Sequence, residues 1–244
     1  RSRPLHGEVM RQRHIPVVLL VACLAAGLLL AEEPEYEMTT YQFVLLWRAD
    51  LRPMSEREIQ KVQELRLAYL EGLFAEGKAI IGGSIDRGGD LQSVLVLDTG
   101  SIEAAEAVME KDPAVATGRF KPEIHAFWAA KNIIGKPESL TRQTRCYLGL
   151  IKRPGVVPDY SDEELEEIQA GHMANIQKMA DSGDLVWAGP MADDGDLRGI
   201  FVFRTLDPDR LKELVARDPG VKAGRFGVEL YPWHVPEGSI PKSD

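Results

Sequence analysis

Apolar positions along this chain follow two periods. Short apolar runs of strand length, Tyr41 to Trp47, Lys78 to Gly83, Ser93 to Asp98 and Phe120 to Trp128, alternate with stretches in which apolar residues recur every three or four positions. The first kind reads as strand and the second as amphipathic helix. A long helix is expected from Ser55 to about Glu76, opened by a capping box of Ser55 with Glu58 and closed at Gly77. A shorter helix is expected over 102–111, and the Gly88-Gly89-Asp90 turn reverses the chain between the second and third strands.

The same order then recurs. Tyr41–Trp128 lies over Tyr147–His234 at a constant offset of 106 residues without a gap, and 19 of the 88 pairs are identical. Asp112-Pro113-Ala114-Val115-Ala116-Thr117-Gly118-Arg119-Phe120 falls on Asp218-Pro219-Gly220-Val221-Lys222-Ala223-Gly224-Arg225-Phe226, and Gly89-Asp90-Leu91 falls on Gly195-Asp196-Leu197. A register held that long marks a duplication. The second copy has strands expected at Tyr147 to Lys152, Leu185 to Gly189, Gly199 to Arg204 and Phe226 to Trp233, with helices after Ser161, boxed with Glu164, and from Pro208 to Arg217.

Each copy is therefore an α+β unit in ferredoxin-like βαββαβ order, an antiparallel sheet with both helices on one side. The far face of such a sheet is bare and apolar, so the two sheets are expected to pack face to face as a pseudo-symmetric pair within one chain. The copies are placed at 38–130 and 145–238, with 131–144, containing Gly135 and Pro137, as linker.

Residues 1–31 are of another kind. Arg1, Arg3, Arg11 and Arg13 precede an apolar run from Ile15 to Ala31 that stops at Glu32, Glu33 and Pro34, the pattern of a secretory signal, with Met10 as a start. Leu20-Val21-Ala22-Cys23 resembles a lipoprotein box. Lipidation of Cys23, cleavage after Ala31 and a retained membrane anchor all remain open, and with them a periplasmic, extracellular or membrane-tethered location.

Composition narrows the functional classes. A hydrophobic content of 44% suffices for buried cores, and because the leader is basic, the part that follows it is more acidic than the whole-chain net charge of -9. An acidic body argues against a nucleic-acid partner. Beyond Cys23 the one cysteine is Cys146, in an apolar strand, where it reads as a small buried residue.

Candidate chemistry begins on the long helix of the second copy. Leu165, Ile168, Ile176 and Met179 form its apolar stripe, and His172 lies in the middle of it. An ionisable ring there needs a partner. His172 precedes the helix end at Gly183 by ~16 Å at ~1.5 Å per residue. The strand Leu185 to Gly189 climbs back at ~3.3 Å per residue, so the loop Pro190 to Asp196 returns to the level of His172. Asp193 or Asp194 would then orient the imidazole and leave its other nitrogen to move a proton. The bland alternative is a histidine satisfied by a backbone carbonyl beside aspartates that serve a turn.

Gly171-His172-Met173, Ala188-Gly189-Pro190 with Asp193, Asp218-Pro219 through Gly224-Arg225-Phe226, and Pro232-Trp233 together resemble a YCII (YciI-like) domain, and the resemblance covers both copies. It implies a dimeric α+β barrel, here closed within one chain, and an active site of one histidine and one aspartate, mapped to His172 and Asp193. Pro190, Asp194 and Trp233 are the neighbouring candidates for contact with a small-molecule ligand; Trp233 equally suits the core.

The first copy departs from this pattern. Arg66 stands where His172 does, Ser84 replaces Pro190 and Arg87 replaces Asp193. Arginine cannot act as a base near neutral pH, so Arg66 either binds an anionic group or pairs with Asp86, and the first copy is expected to hold ligand or serve as scaffold. The Asp-Pro…Gly-Arg-Phe segment, present in both copies, reads as a structural turn with Arg119 and Arg225 at its rim. His125 and His234 sit alone on strands, no metal-ligand spacing appears, and there is no phosphate-binding glycine loop or serine elbow. Chemistry without a cofactor is the expectation. Three classes stay open: an isomerase- or lyase-type enzyme, a non-catalytic binding protein, and a structural module.

Overall fold

In the computed structural model, which describes residues 37–49 and 53–241, the first copy comprises β1 (Met38–Arg48), α1 (Glu56–Ala75), β2 (Ala79–Ile85), β3 (Leu91–Leu97), α2 (Ile102–Met109), the short turn α3 (Pro113–Ala116) and β4 (Phe120–Ala130). The second comprises β5 (Ser139–Lys152), α4 (Asp162–Asp181), β6 (Leu185–Pro190), β7 (Leu197–Phe203), α5 (Pro208–Ala216), α6 (Pro219–Lys222) and β8 (Gly227–Glu237). The leader, with Cys23, lies outside the described residues. Among the described residues no helix is long and apolar enough to cross a membrane.

Both capping boxes form. The Ser55 and Ser161 hydroxyls accept from the backbone N–H three residues on, while the Glu58 and Glu164 carboxylates accept from the cap residues' own N–H at 2.8 and 2.7 Å. That satisfies donors the first helical turn would otherwise leave bare. Both helices end at glycines in the left-handed region, Gly77 and Gly183, each at φ 72°.

The eight strands form one antiparallel sheet in the order β4-β1-β3-β2-β8-β5-β7-β6. The copies meet edge to edge as well as face to face. At one seam Ser84 pairs with His234 and Ile85 with Trp233, and Asp86 N–H donates to Pro232 O at 2.9 Å. At the other, 106 residues away in each partner, Met191 bridges to Phe127 and Ala192 N–H donates to Ala126 O at 2.7 Å. The second seam brings β4 back to the end of β6, and the sheet curls into a near-closed barrel.

Burial follows from that closure. The inward faces of both copies share one core, with Phe43, Phe127, Leu148, Trp187, Ile200 and Trp233 among its members. Trp187 meets Phe127 edge-on at 5.0 Å and Tyr41 at 5.8 Å. The helices cover the outside in two separate layers, one around Leu73, Leu95 and Met109 and one around Met179, Phe201 and Leu211.

The segment expected to be linker is partly strand. Ser139 already pairs with Glu237, and Gln143 and Thr144 pair with Pro236 and Val235. The polar run Ser-Leu-Thr-Arg-Gln-Thr lacks an apolar strand signature and is held extended by its neighbour β8.

The seams depend on two glycines. A Cβ at Gly83 would overlap the His234 carbonyl, and one at Gly189 would overlap the Trp128 carbonyl. Gly83→Ala and Gly189→Ala are expected to lower unfolding free energy in urea by about 3 kcal/mol or more, since backbone must move. Gly72→Ala, with open space around it in the last turn of α1, is expected to raise it by about 0.5–1 kcal/mol.

Candidate functional site

α4 packs on the outer layer through Met179 and the flanking Ile176, and His172 stands on the same side. Its ring lies edge-on to Phe226 at 5.0 Å and tilted to Phe201 at 6.2 Å. Gly171 permits this approach, because a Cβ there would come within 2.8 Å of Pro219 Cγ. Close contact between α4 and the α6 turn sets His172 beside Asp218, with Nδ1 at 2.9 Å from Oδ2.

Asp218 is only 1% exposed, yet well satisfied. Oδ2 accepts also from Asn175 Nδ2 at 2.9 Å, and Oδ1 accepts from Gly220 N–H at 2.9 Å as the N-cap of α6. Burial pushes its carboxyl up. The hydrogen bond and charge of His172, with Asn175 and the Gly220 N–H, outweigh that and hold it below the usual carboxylate range. An ionised carboxylate only accepts, so His172 Nδ1 carries the hydrogen. Nε2 has no partner among the described residues and is not among the sealed polar atoms, and the side chain is 12% exposed. The arrangement is an imidazole fixed at one nitrogen by a buried carboxylate and open at the other.

The aspartate is not the expected one. Asp193 lies across the second seam, where its Oδ2 meets His125 Nδ1 at 2.8 Å. His125, read from the sequence as solitary, also meets Glu123 Oε1 through Nε2 at 2.9 Å, and Glu123 accepts from Trp47 Nε1 at 2.6 Å. The cause is the seam itself: with Met191 and Ala192 paired to β4, the next residues lean onto the first copy. Counting heights along one unit takes no account of the second copy, against which this loop pairs.

Of the other sequence candidates, Pro190 ends β6 exposed, Asp194 is exposed, and Trp233 is fully buried in the barrel, its Nε1 donating to Gly83 O at 3.4 Å. Trp233 is thus a core residue. Cys146 is buried beside it, and burial pushes its thiol up to about 12, so it stays protonated. Among the described residues no cluster of three or more His, Cys, Asp and Glu side chains could hold a metal ion.

The first copy repeats the helix-to-turn lock with other chemistry. Arg66 Nε donates to Asp112 Oδ2 at 2.9 Å and Nη2 to Ser93 Oγ at 3.2 Å, so its partner is Asp112 and not Asp86. Asp112 caps α3 as Asp218 caps α6. Beside Arg66 a cleft of ≈ 340 Å³ opens between α1, the α3 turn and the end of β2. Asp218 escaped sequence reasoning because an Asp-Pro turn explains itself locally. The available signal was that both copies set a cationic or ionisable residue, Arg66 or His172, on a helix stripe above that aspartate.

Asp218 also predicts a pH dependence. Its folded pKa is depressed, so its stabilisation is present above the unfolded value of about 4 and is lost as pH falls through the folded value. Urea unfolding between about pH 5 and pH 2 should show stability falling less steeply in Asp218→Asn than in the wild type.

Comparison with known proteins places this geometry in a wider context. The chain is similar in structure to a protein provisionally assigned as a chlorite dismutase, with TM-score 0.55, 11% identity and coverage of 82% of this chain and 96% of that one. It is also similar to a mutant chlorite dismutase from Candidatus Nitrospira defluvii in complex with cyanide, with TM-score 0.54, 14% identity and coverage of 82% and 91%. At such identities these similarities bear on fold alone, the dimeric α+β barrel. No curated protein matches the sequence. The family model for the YCII-related domain matches twice, over residues 42–125 and 147–234. The chain belongs to the YCII-related domain family and carries two copies of that domain in tandem.

Proposed function

We propose that the chain is an acid–base enzyme of the isomerase or lyase kind that acts on a small molecule, with His172 as the group that moves the proton. The supporting observation is the half-open imidazole: Nδ1 is held by Asp218, and Nε2 has no partner among the described residues. Asp218 fixes the tautomer and stabilises the imidazolium formed when Nε2 takes a proton. Phe201 and Phe226 limit ring rotation. Asp193 has no part in this pair and belongs to the seam. In this reading the protein works after export, directed by its basic and then apolar leader.

One observation favours a second reading. The lock between the long helix and the Asp-Pro turn forms equally with Arg66 and Asp112, so the His172–Asp218 pair has a structural role whether or not it does chemistry. A binding protein without turnover would keep it for that reason.

The two readings separate by experiment. Small ketones and other carbon acids are incubated with the protein in deuterated water, and exchange at the α-carbon is followed by NMR. The enzyme reading predicts exchange for at least one compound, reduced about 10²–10⁴-fold in His172→Gln. His172→Arg, which copies the Arg66–Asp112 pair, should fold with unfolding free energy within about 1 kcal/mol of wild type and be inactive. Undiminished exchange in both variants, or binding without exchange in the wild type, would remove His172 as the proton-moving group.

A further inference from the structure

We propose that the first copy's cleft is a binding site for a small carboxylate with an apolar body. Among the described residues the cleft is lined by two arginines, Arg66 and Arg119, and by no aspartate or glutamate, in a protein whose net charge is -9. Arg66 spends Nε and Nη2 on Asp112 and Ser93, and its Nη1 has no partner among the described residues. Arg119 meets no carboxylate among the described residues. Both guanidinium groups flank one ring, their carbons 5.4 and 5.7 Å from the Phe120 centroid. Two incompletely paired guanidinium groups beside an acid-free cleft make a receptor for an anion, and their planar forks match a carboxylate.

The remaining wall sets the ligand's body. Leu67, Leu70 and Ile85 give an apolar side, while Gln63, Gln92 and Gln143 supply amides that can donate or accept. An inorganic anion would leave the apolar side unused, whereas a hydrophobic acid uses both. The volume of ≈ 340 Å³ falls within the range of small-molecule sites. Gln143 comes from β5 of the second copy, so the site is completed only by joining the two copies. It also stands apart from His172, whose counterpart in the first copy is Arg66, and the two proposals fail separately.

The test uses the full chain with phenylacetate as probe, phenylacetamide as its neutral counterpart and inorganic phosphate as a bare anion. Methyl NMR is expected to show saturable shifts at Leu67, Leu70 and Ile85 with phenylacetate and binding at least about tenfold weaker for phenylacetamide and phosphate. Arg119→Gln, which breaks no ion pair, should weaken phenylacetate about tenfold at an unchanged melting temperature. Gln143→Glu should abolish binding by placing a like charge in the cleft, and His172→Gln should leave it intact. The proposal is overturned by absence of saturable shifts, by equal binding of phenylacetamide, by phosphate binding as tightly, or by Arg119→Gln binding as the wild type does.

Discussion

Closure of the sheet on itself is the constraint on which the rest depends. Each ferredoxin-like unit has one sheet face covered by helices and one left apolar, and the barrel removes both bare faces from water at once. That requires backbone to meet backbone at the seams, where Gly83 lies against the His234 carbonyl and Gly189 against the Trp128 carbonyl. From this approach follow the shared interior of Phe127, Trp187 and Trp233, the lean of Asp193 onto His125, and the reach of Gln143 into the other copy's cleft. Fusion of the two units in one chain removes the concentration dependence a dimer of separate units would have.

Duplication also shows how one structural position carries two chemistries. Asp112 and Asp218 do the same architectural task, capping a short turn and receiving a hydrogen bond from the long helix. With Arg66 above it, the aspartate takes one edge of a guanidinium whose charge does not depend on pH near neutrality. With His172 above it, the aspartate orients a ring that can exchange a proton. The lock tolerates either residue because it needs only a donor at that height, so divergence between the copies is possible without loss of fold.

The fold was legible in the sequence because its signals are local and doubled. Two capping boxes, turn glycines at matching positions and a gapless register each pointed to the same βαββαβ unit, and the apolar far face demanded the pairing. What stayed hidden depends on neighbours. Ser139 to Thr144 are strand because β8 lies beside them, which no property of those six residues announces. His172 stood out on the helix stripe, but its hydrogen-bond partner is not the expected one: Asp193 lies across a seam that sequence does not draw, while Asp218 is 46 residues away and looked complete as a turn residue. The cleft beside Arg66 was invisible for the same reason, since its polar rim comes from five separate segments of the chain.

The central claim concerns where one hydrogen sits. A long-range proton–nitrogen NMR spectrum of the histidine rings reports the tautomer of His172 directly. The account predicts that its neutral form carries hydrogen on Nδ1 and a bare lone pair on Nε2, and that Asp218→Asn removes this preference. A neutral ring protonated at Nε2, or a tautomer indifferent to Asp218, would contradict it.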